Sequence, residues 1–251
     1  MKLSKIVFLF ILIIIVFIFI NLNTLINNYY FYQAEQKLLF NDFYGAFSGY
    51  EKLLSNNDPT INPYLRYRYG NLAVAYALTQ RQFNLEPDAK ILKRAIEIQI
   101  ENSQKEWPYF TRNYLLAGEL SNYLKNFESA LKYLEKAREL SPHRPDVYLE
   151  LAKTYMLSGD YKKSREYLNQ AFKYDAQNPQ ALWQELILNI FEKKDIQENF
   201  SKLNAIKYNF LNFSSLSDLA WAYEQAGNQK KAESYRNLII KLQDLFFSRQ
   251  S

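Results

Sequence analysis

Residues Pro145–Asn178, PDVYLELAKTYMLSGDYKKSREYLNQAFKYDAQN, decide the fold of this chain. Tyr148, Leu151, Ala152 and Tyr155 recur at the three- and four-residue spacing of one helical face, and so do Tyr161, Ser164, Leu168 and Ala171. Ser158-Gly159-Asp160 separates the two segments, and Gly159 can take the left-handed backbone angle that ends a helix. Small residues (Ala152, Ser164, Ala171) stand where two helices must approach closely, and large ones (Tyr148, Tyr155, Leu168) fill the gaps.

This helix-turn-helix resembles a tetratricopeptide repeat, a 34-residue unit with an aromatic, a Leu-small pair, a Tyr, a Gly turn and two small residues on the second helix. Most of the chain falls into the same register. Regular units start near 111, 145, 180 and 213, the last carrying Leu216, Leu219, Ala220, Tyr223, Gly227, Ala232 and Ile239. The fifth departs most in its second half, with Asn199 where a small residue belongs. Residues 27–110 read as two less regular units. Asn41-Asp42-Phe43 is the turn of the first, and Asn56-Asn57-Asp58-Pro59 ends it. In the second, Arg81–Lys90 inserts extra residues at the turn, and the following helix runs to about Lys105 before Trp107-Pro108 stops it. Leu245-Phe246-Phe247 reads as a cap on the stack. The expected fold is all-α: an α-solenoid of about six units, with the regular repeats over 111–247, following one N-terminal transmembrane helix.

That helix is expected over residues 6–26. Ile6–Ile20 is an uninterrupted apolar run behind a short basic segment, residues 1–5, and Leu22, Leu25 and Ile26 extend it toward the ~20 residues that span a bilayer. The rival reading is a cleaved secretory signal, but the residues after the run offer no small-residue cleavage site, and a lipoprotein signal would need a Cys. Tyr29-Tyr30-Phe31-Tyr32 supplies interfacial aromatics. Lys2 and Lys5 favour a cytoplasmic N-terminus. The expectation is a single-pass membrane protein contacting the lipid bilayer through this helix, with its repeats outside, in a bacterial cell envelope.

Composition excludes several chemistries. With no Cys among 251 residues there are no disulfides, zinc thiolates or cysteine nucleophiles. Setting aside Lys2 and Lys5, 29 basic residues face 26 acidic ones without a basic run, so no nucleic-acid partner is expected. His143, the one histidine, lies in the polar turn Ser141–Pro145 and reads as a solvated loop residue. Glu119, Glu128, Glu150 and Glu185 sit at helix positions where solvated charges are the default. No phosphate loop, H-E-x-x-H or G-x-S-x-G occurs, so neither catalysis nor a cofactor or metal is expected.

Recognition is the positive reading. In repeats of this kind the first helices line a concave face, and the resemblance places inner-face residues two, five, nine and twelve places into each unit. The expected partner-binding groove comprises Arg112, Leu115, Glu119, Asn122, Asp146, Leu149, Lys153, Met156, Gln184, Leu188, Phe191 and Trp221, with Tyr67, Val74 and Glu224 on the same face. Its mixture of apolar and charged groups suits a protein or peptide partner. It lacks the Lys and Asn cluster that grips a terminal carboxylate, because Leu115 and Glu119 stand there instead.

A second resemblance spans residues 22–246. The Asn-rich membrane-proximal sequence, the Tyr-rich early helices and Glu139–Asp146 leading into Tyr148–Ala152 are similar to the repeat tail of some bacterial O-antigen ligase or polymerase family membrane proteins. The membrane spans that hold that family's catalysis are missing, so glycosyl transfer does not carry over. The resemblance implies a non-catalytic accessory module or detached tail, with a multi-span envelope-polysaccharide enzyme as partner.

Overall fold

The structure is a computed structural model that describes residues 22, 24–55, 62–83, 85–105, 107–208 and 212–248, with the side chains of 62 and 243–248 excepted. Among these described residues there is no strand, and twelve helices form six consecutive pairs. They are α1 (24–39) with α2 (Phe43–Ser55), α3 (Asn62–Gln82) with α4 (Ala89–Lys105), α5 (Thr111–Tyr123) with α6 (Phe127–Leu140), α7 (Pro145–Leu157) with α8 (Tyr161–Tyr174), α9 (Pro179–Phe191) with α10 (Gln197–Ala205), and α11 (Phe213–Gln225) with α12 (Gln229–Ser248). The transmembrane helix expected at 6–26 lies outside the described residues except for its last few positions, as do the turn at Asn56–Pro59 and the capping side chains of Leu245–Phe247. Among the described residues no helix is long and apolar enough to cross a membrane.

The chain forms two compact units, Met1–Leu72 and Ala73–Ser251. In the first, Ala34, Phe47, Tyr50, Leu53, Leu65 and Tyr69 are buried. A Cβ at Gly49 would stand 2.8 Å from the Cβ of Ala34, so this glycine sets the close approach of α1 and α2. Glu35 accepts hydrogen bonds from Tyr50 and from Arg68, the latter at 2.6 Å. Burial pushes the Glu35 carboxyl up, but these two bonds and the Arg68 charge outweigh it and hold the group below its ordinary range.

The second unit repeats one turn. Helices α5, α7, α9 and α11 begin at Thr111, Pro145, Pro179 and Phe213, each 34 residues after the last. The residue in the left-handed region keeps the same spacing: Lys125, Gly159, Lys193 and Gly227, with φ of 57°, 88°, 58° and 78°. The next residue's N–H returns to the carbonyl five places earlier, as in Asp160 N to Tyr155 O at 2.9 Å, which satisfies an orphan carbonyl of the ending helix. That same residue then caps the following helix: Asn126 accepts from Ser129 N, Asp160 from Lys163 N and Asn228 from Lys231 N. Lys194 occupies the position in the fifth pair and cannot accept, so α10 starts late at Gln197 and is only 9 residues long. Asn199 is nevertheless buried there, because it accepts from Asn189 and donates to Glu185.

Between the turns the apolar stripes meet. Leu115, Leu134, Ala137, Val147 and Leu151 form one buried cluster, and a larger one runs from Tyr148 through Trp183, Leu186 and Leu188 to Tyr223 and Ala232. Each fully buried Leu contributes roughly 2 kcal/mol.

Candidate partner groove

The inner face of the second unit is built from the last turn of α3 and from α5, α7, α9 and α11. The end of α3 and helices α5, α7 and α11 border a cavity of about 550 Å3, lined among others by Arg81, Asn122, Tyr123, Lys153, Leu157, Trp221 and Glu224. A smaller one of about 150 Å3 shares Arg81, Tyr123, Lys153, Leu157 and Trp221 and adds Met156, Trp183, Gln184 and Asp218. The inserted connection after α3 supplies Leu85, Glu86 and Pro87 to the wall of the larger one. Tyr76 holds that connection in place, its hydroxyl accepting from Asp88 N at 3.1 Å.

Five of the twelve expected groove residues therefore line these cavities: Asn122, Lys153, Met156, Gln184 and Trp221. Phe191 supports the site from behind, its ring 5.5 Å from that of Trp221 in an edge arrangement. Glu119 is 3.7 Å from Lys153, and Arg112 is 3.8 Å from Asp146, which Arg144 also holds at 2.8 Å. Leu115, Leu149 and Leu188 are packing residues instead, buried against neighbouring helices. For Leu188 the reason is register. The fifth pair begins at Pro179, one residue before the expected start, and one residue turns a helix by about 100°. That rotation brings Trp183 and Ile187 to the groove and takes Leu188 into the core.

Charges on the inner face are paired rather than solvated, which corrects the expectation for Glu119, Glu150 and Glu185. Lys153 lies 3.3 Å from Glu150 and 3.7 Å from Glu119, so two carboxylates share one ammonium. Burial pushes the Glu150 carboxyl up to about 7; Lys153 opposes that and Glu119 adds to it. Lys153 is itself held above its ordinary value, because the attraction of Glu150 and Glu119 outweighs its burial. Glu185 accepts from Asn199 and lies 3.9 Å from Arg165, which also binds Asn189 and Glu192. Glu128 is exposed as expected. Among the described residues, three buried polar atoms of side chains that line the two cavities have no hydrogen-bond partner: the Tyr123 hydroxyl, Gln184 Oε1 and Asn122 Oδ1. Burial pushes the Tyr123 phenol up to about 12. His143 lies in its exposed turn, 3.3 Å from the Tyr174 hydroxyl.

A wider recess of about 930 Å3 lies at the turns of the last two pairs, between Lys193, Lys194 and Asp195 on one side and Lys230 and Lys231 on the other. Its lysines are partly engaged, Lys194 with Glu192 and Lys231 over the Tyr223 ring. Among the described residues no group of three or more His, Asp or Glu side chains is arranged to hold a metal.

Sequence reading missed Arg81, Tyr123, Leu157, Trp183 and Asp218. Arg81 comes from the end of α3, yet its guanidinium lies 4.2 Å from the centre of the Trp221 ring and 3.2 Å from Asp218 on α11. The signal for its neighbours was the insertion at 81–90, which is longer than a repeat turn needs.

Stacked helix pairs that recur every 34 residues, with their first helices lining a groove, define a helical-repeat protein. Residues 124–187 match the tetratricopeptide-repeat family model. A tetratricopeptide repeat protein from Parabacteroides merdae shares the fold at a TM-score of 0.55 and 11% identity, over 86% of this chain and 79% of that one. The crystal structure of MamA aligns at 0.48 and 17% identity, over 86% and 90%. A thermophilic repeat protein of Thermus thermophilus aligns at 0.46 and 16%, over 85% and 99%. No curated protein matches the chain by sequence.

Proposed function

We propose that the chain is a membrane-anchored, non-catalytic adaptor that binds an extended segment of a partner protein in the groove of its second unit. One observation carries this reading. The two cavities between the first helices are bordered by Tyr123 and Asn122 and by Tyr123 and Gln184, whose buried polar atoms find no partner among the described residues. Such groups are costly to leave unmet, and a peptide backbone brings donors and acceptors at regular spacing. The anchor is supported by the apolar run Ile6–Ile20 and by the exposed Leu25, Tyr29 and Tyr32 that follow it. Lys2 and Lys5 orient the repeats outward, to the envelope side.

A photo-crosslinking residue at Leu157 or Gln225, introduced in the native host, tests the groove. A discrete envelope protein should be captured at these sites and lost when Lys153 is replaced by Ala. No capture at either site would remove the groove reading. Carbonate extraction with external proteolysis of intact cells tests the anchor, since a full-length, carbonate-resistant, externally digested chain is expected. The likeness to O-antigen ligase tails adds that the partner is a multi-span polysaccharide enzyme. Unchanged amount and length of surface glycan after deletion would dispose of that addition alone.

A further inference from the structure

We infer that Trp221 and Asp218 form a receptor for a partner's arginine, and that Arg81 occupies it as an internal stand-in. The inference rests on the groove reading above and names the chemistry that the groove selects. The receptor is built by α9 and α11 alone. Trp183 Nε1 donates to Asp218 at 3.4 Å, and Phe191 props the Trp221 ring edge-on. An aromatic face beside a fixed carboxylate is what a planar guanidinium requires, since it stacks on the one and pairs with the other. The occupant comes from elsewhere: Arg81 reaches in from the end of α3, next to the inserted connection.

Its hold is of the displaceable kind. Arg81 and Asp218 keep 29% and 33% of their side-chain surfaces exposed, and both border the smaller cavity. An incoming guanidinium therefore needs no core residue to move. A guanidinium carries five donors, and Gln184, which lines the same cavity, has a buried acceptor, Oε1, without a partner among the described residues. Arg81 thus lowers the apparent affinity for a partner's arginine by the fraction of time that it fills the site.

The two halves of this ion pair then have opposite effects on binding. A merely structural pair would give the same sign for both, which makes the test sharp. Full-length chain in detergent micelles is panned against a library of acetylated, amidated octapeptides. A selected peptide is then titrated by fluorescence polarisation against wild type, Arg81→Gln and Asp218→Asn, with circular dichroism as the check on folding. Selected peptides should carry Arg, Arg81→Gln should bind about fivefold tighter, and Asp218→Asn at least about fivefold weaker. Citrulline in place of the peptide's Arg should reproduce the Asp218→Asn loss. Weaker or unchanged binding by Arg81→Gln, or indifference to citrulline, overturns the inference. Peptides selected without Arg overturn it too while leaving the groove reading intact, whereas no selected peptide at all removes both.

Discussion

The regular pairs from α5 onward and the pair α3–α4 meet the same packing requirement in different ways. In the regular pairs, first helices of 13 residues start every 34 residues, and apolar side chains such as Leu134, Leu151 and Leu168 fill the space between them. In α3–α4 the helices run to 21 and 17 residues. The junction of α4 with α5 buries Gln99, Asn102, Ser103, Thr111 and Asn113, with Asn102 donating to Asn113 at 3.4 Å. Regularity builds a scaffold that any partner could use. The irregular pair is what places Arg81, Leu85, Glu86 and Pro87 on this particular groove. On the proposed reading, selectivity enters where the repeat is broken.

The contrast is broken most severely from the regular side. Leu151 is fully buried in the cluster that joins α5, α6 and α7, so Leu151→Ala should cost about 2–5 kcal/mol in urea unfolding. Arg81→Gln, from the irregular side, should cost less than about 1 kcal/mol because its pair is partly exposed, while still altering binding. A large loss for Arg81→Gln would mean that the pair holds the fold and not the groove.

Gly118 sharpens the comparison within the regular pairs. The same repeat position holds Ala152, Leu186 and Ala220, so the pattern itself does not demand glycine. In α5, however, a Cβ at 118 would lie 2.6 Å from Leu134 Cγ, because α6 has closed on the missing side chain. Gly118→Ala should destabilise by about 1–3 kcal/mol despite improving helix propensity, and a melt at or above wild type would show that Leu134 can yield.

The Glu119–Lys153–Glu150 cluster predicts a pH dependence. Below the ordinary carboxylate range both folded and unfolded chains hold the Glu150 proton. Between that range and about 7 only the folded chain retains it, so stability falls as pH rises through this window, by at most about 1.4 kcal/mol per unit. Glu35, Glu139 and Glu192 are held below their ordinary range and act in the opposite sense, at lower pH. Urea melts at pH 5 and 7.5 should show a loss that Glu150→Gln abolishes. If the variant keeps the same slope, the proton resides elsewhere.

Repeat length, helix pairing and most core positions were legible in the sequence because close packing forces small and large residues to recur at fixed places. Tyr148, Ala152, Leu168 and Ala171 are all buried as their spacing implies. The groove was only half legible. Periodicity says which residues leave the core, but not whether a neighbouring helix then covers them, as happens to Leu115 and Leu149. Nor does local spacing disclose that Arg81 meets Trp221 and Asp218, since that contact depends on how the intervening pairs accumulate their rotation. Glu150 misled for a related reason, its charge being taken up by Lys153 on its own helix, which Glu119 on α5 shares.

The turns are where regularity is purest. The backbone takes a left-handed residue at Lys125, Gly159, Lys193 and Gly227 alike, although only two of the four are glycines. The turn geometry is thus imposed by the helices that it joins, and the lysines bear a strain that glycine would not. Lys125→Gly and Lys193→Gly should each stabilise the chain by about 0.5–1 kcal/mol, whereas Gly159→Ala and Gly227→Ala should each cost about 1–2 kcal/mol. Lys125 is the more informative site because its ammonium also lies 3.2 Å from Glu86 in the inserted connection. Both side chains are largely exposed, so that pair should not offset the strain. A neutral or destabilising Lys125→Gly, beside a stabilising Lys193→Gly, would show that the irregular pair is fastened to the regular ones through this contact.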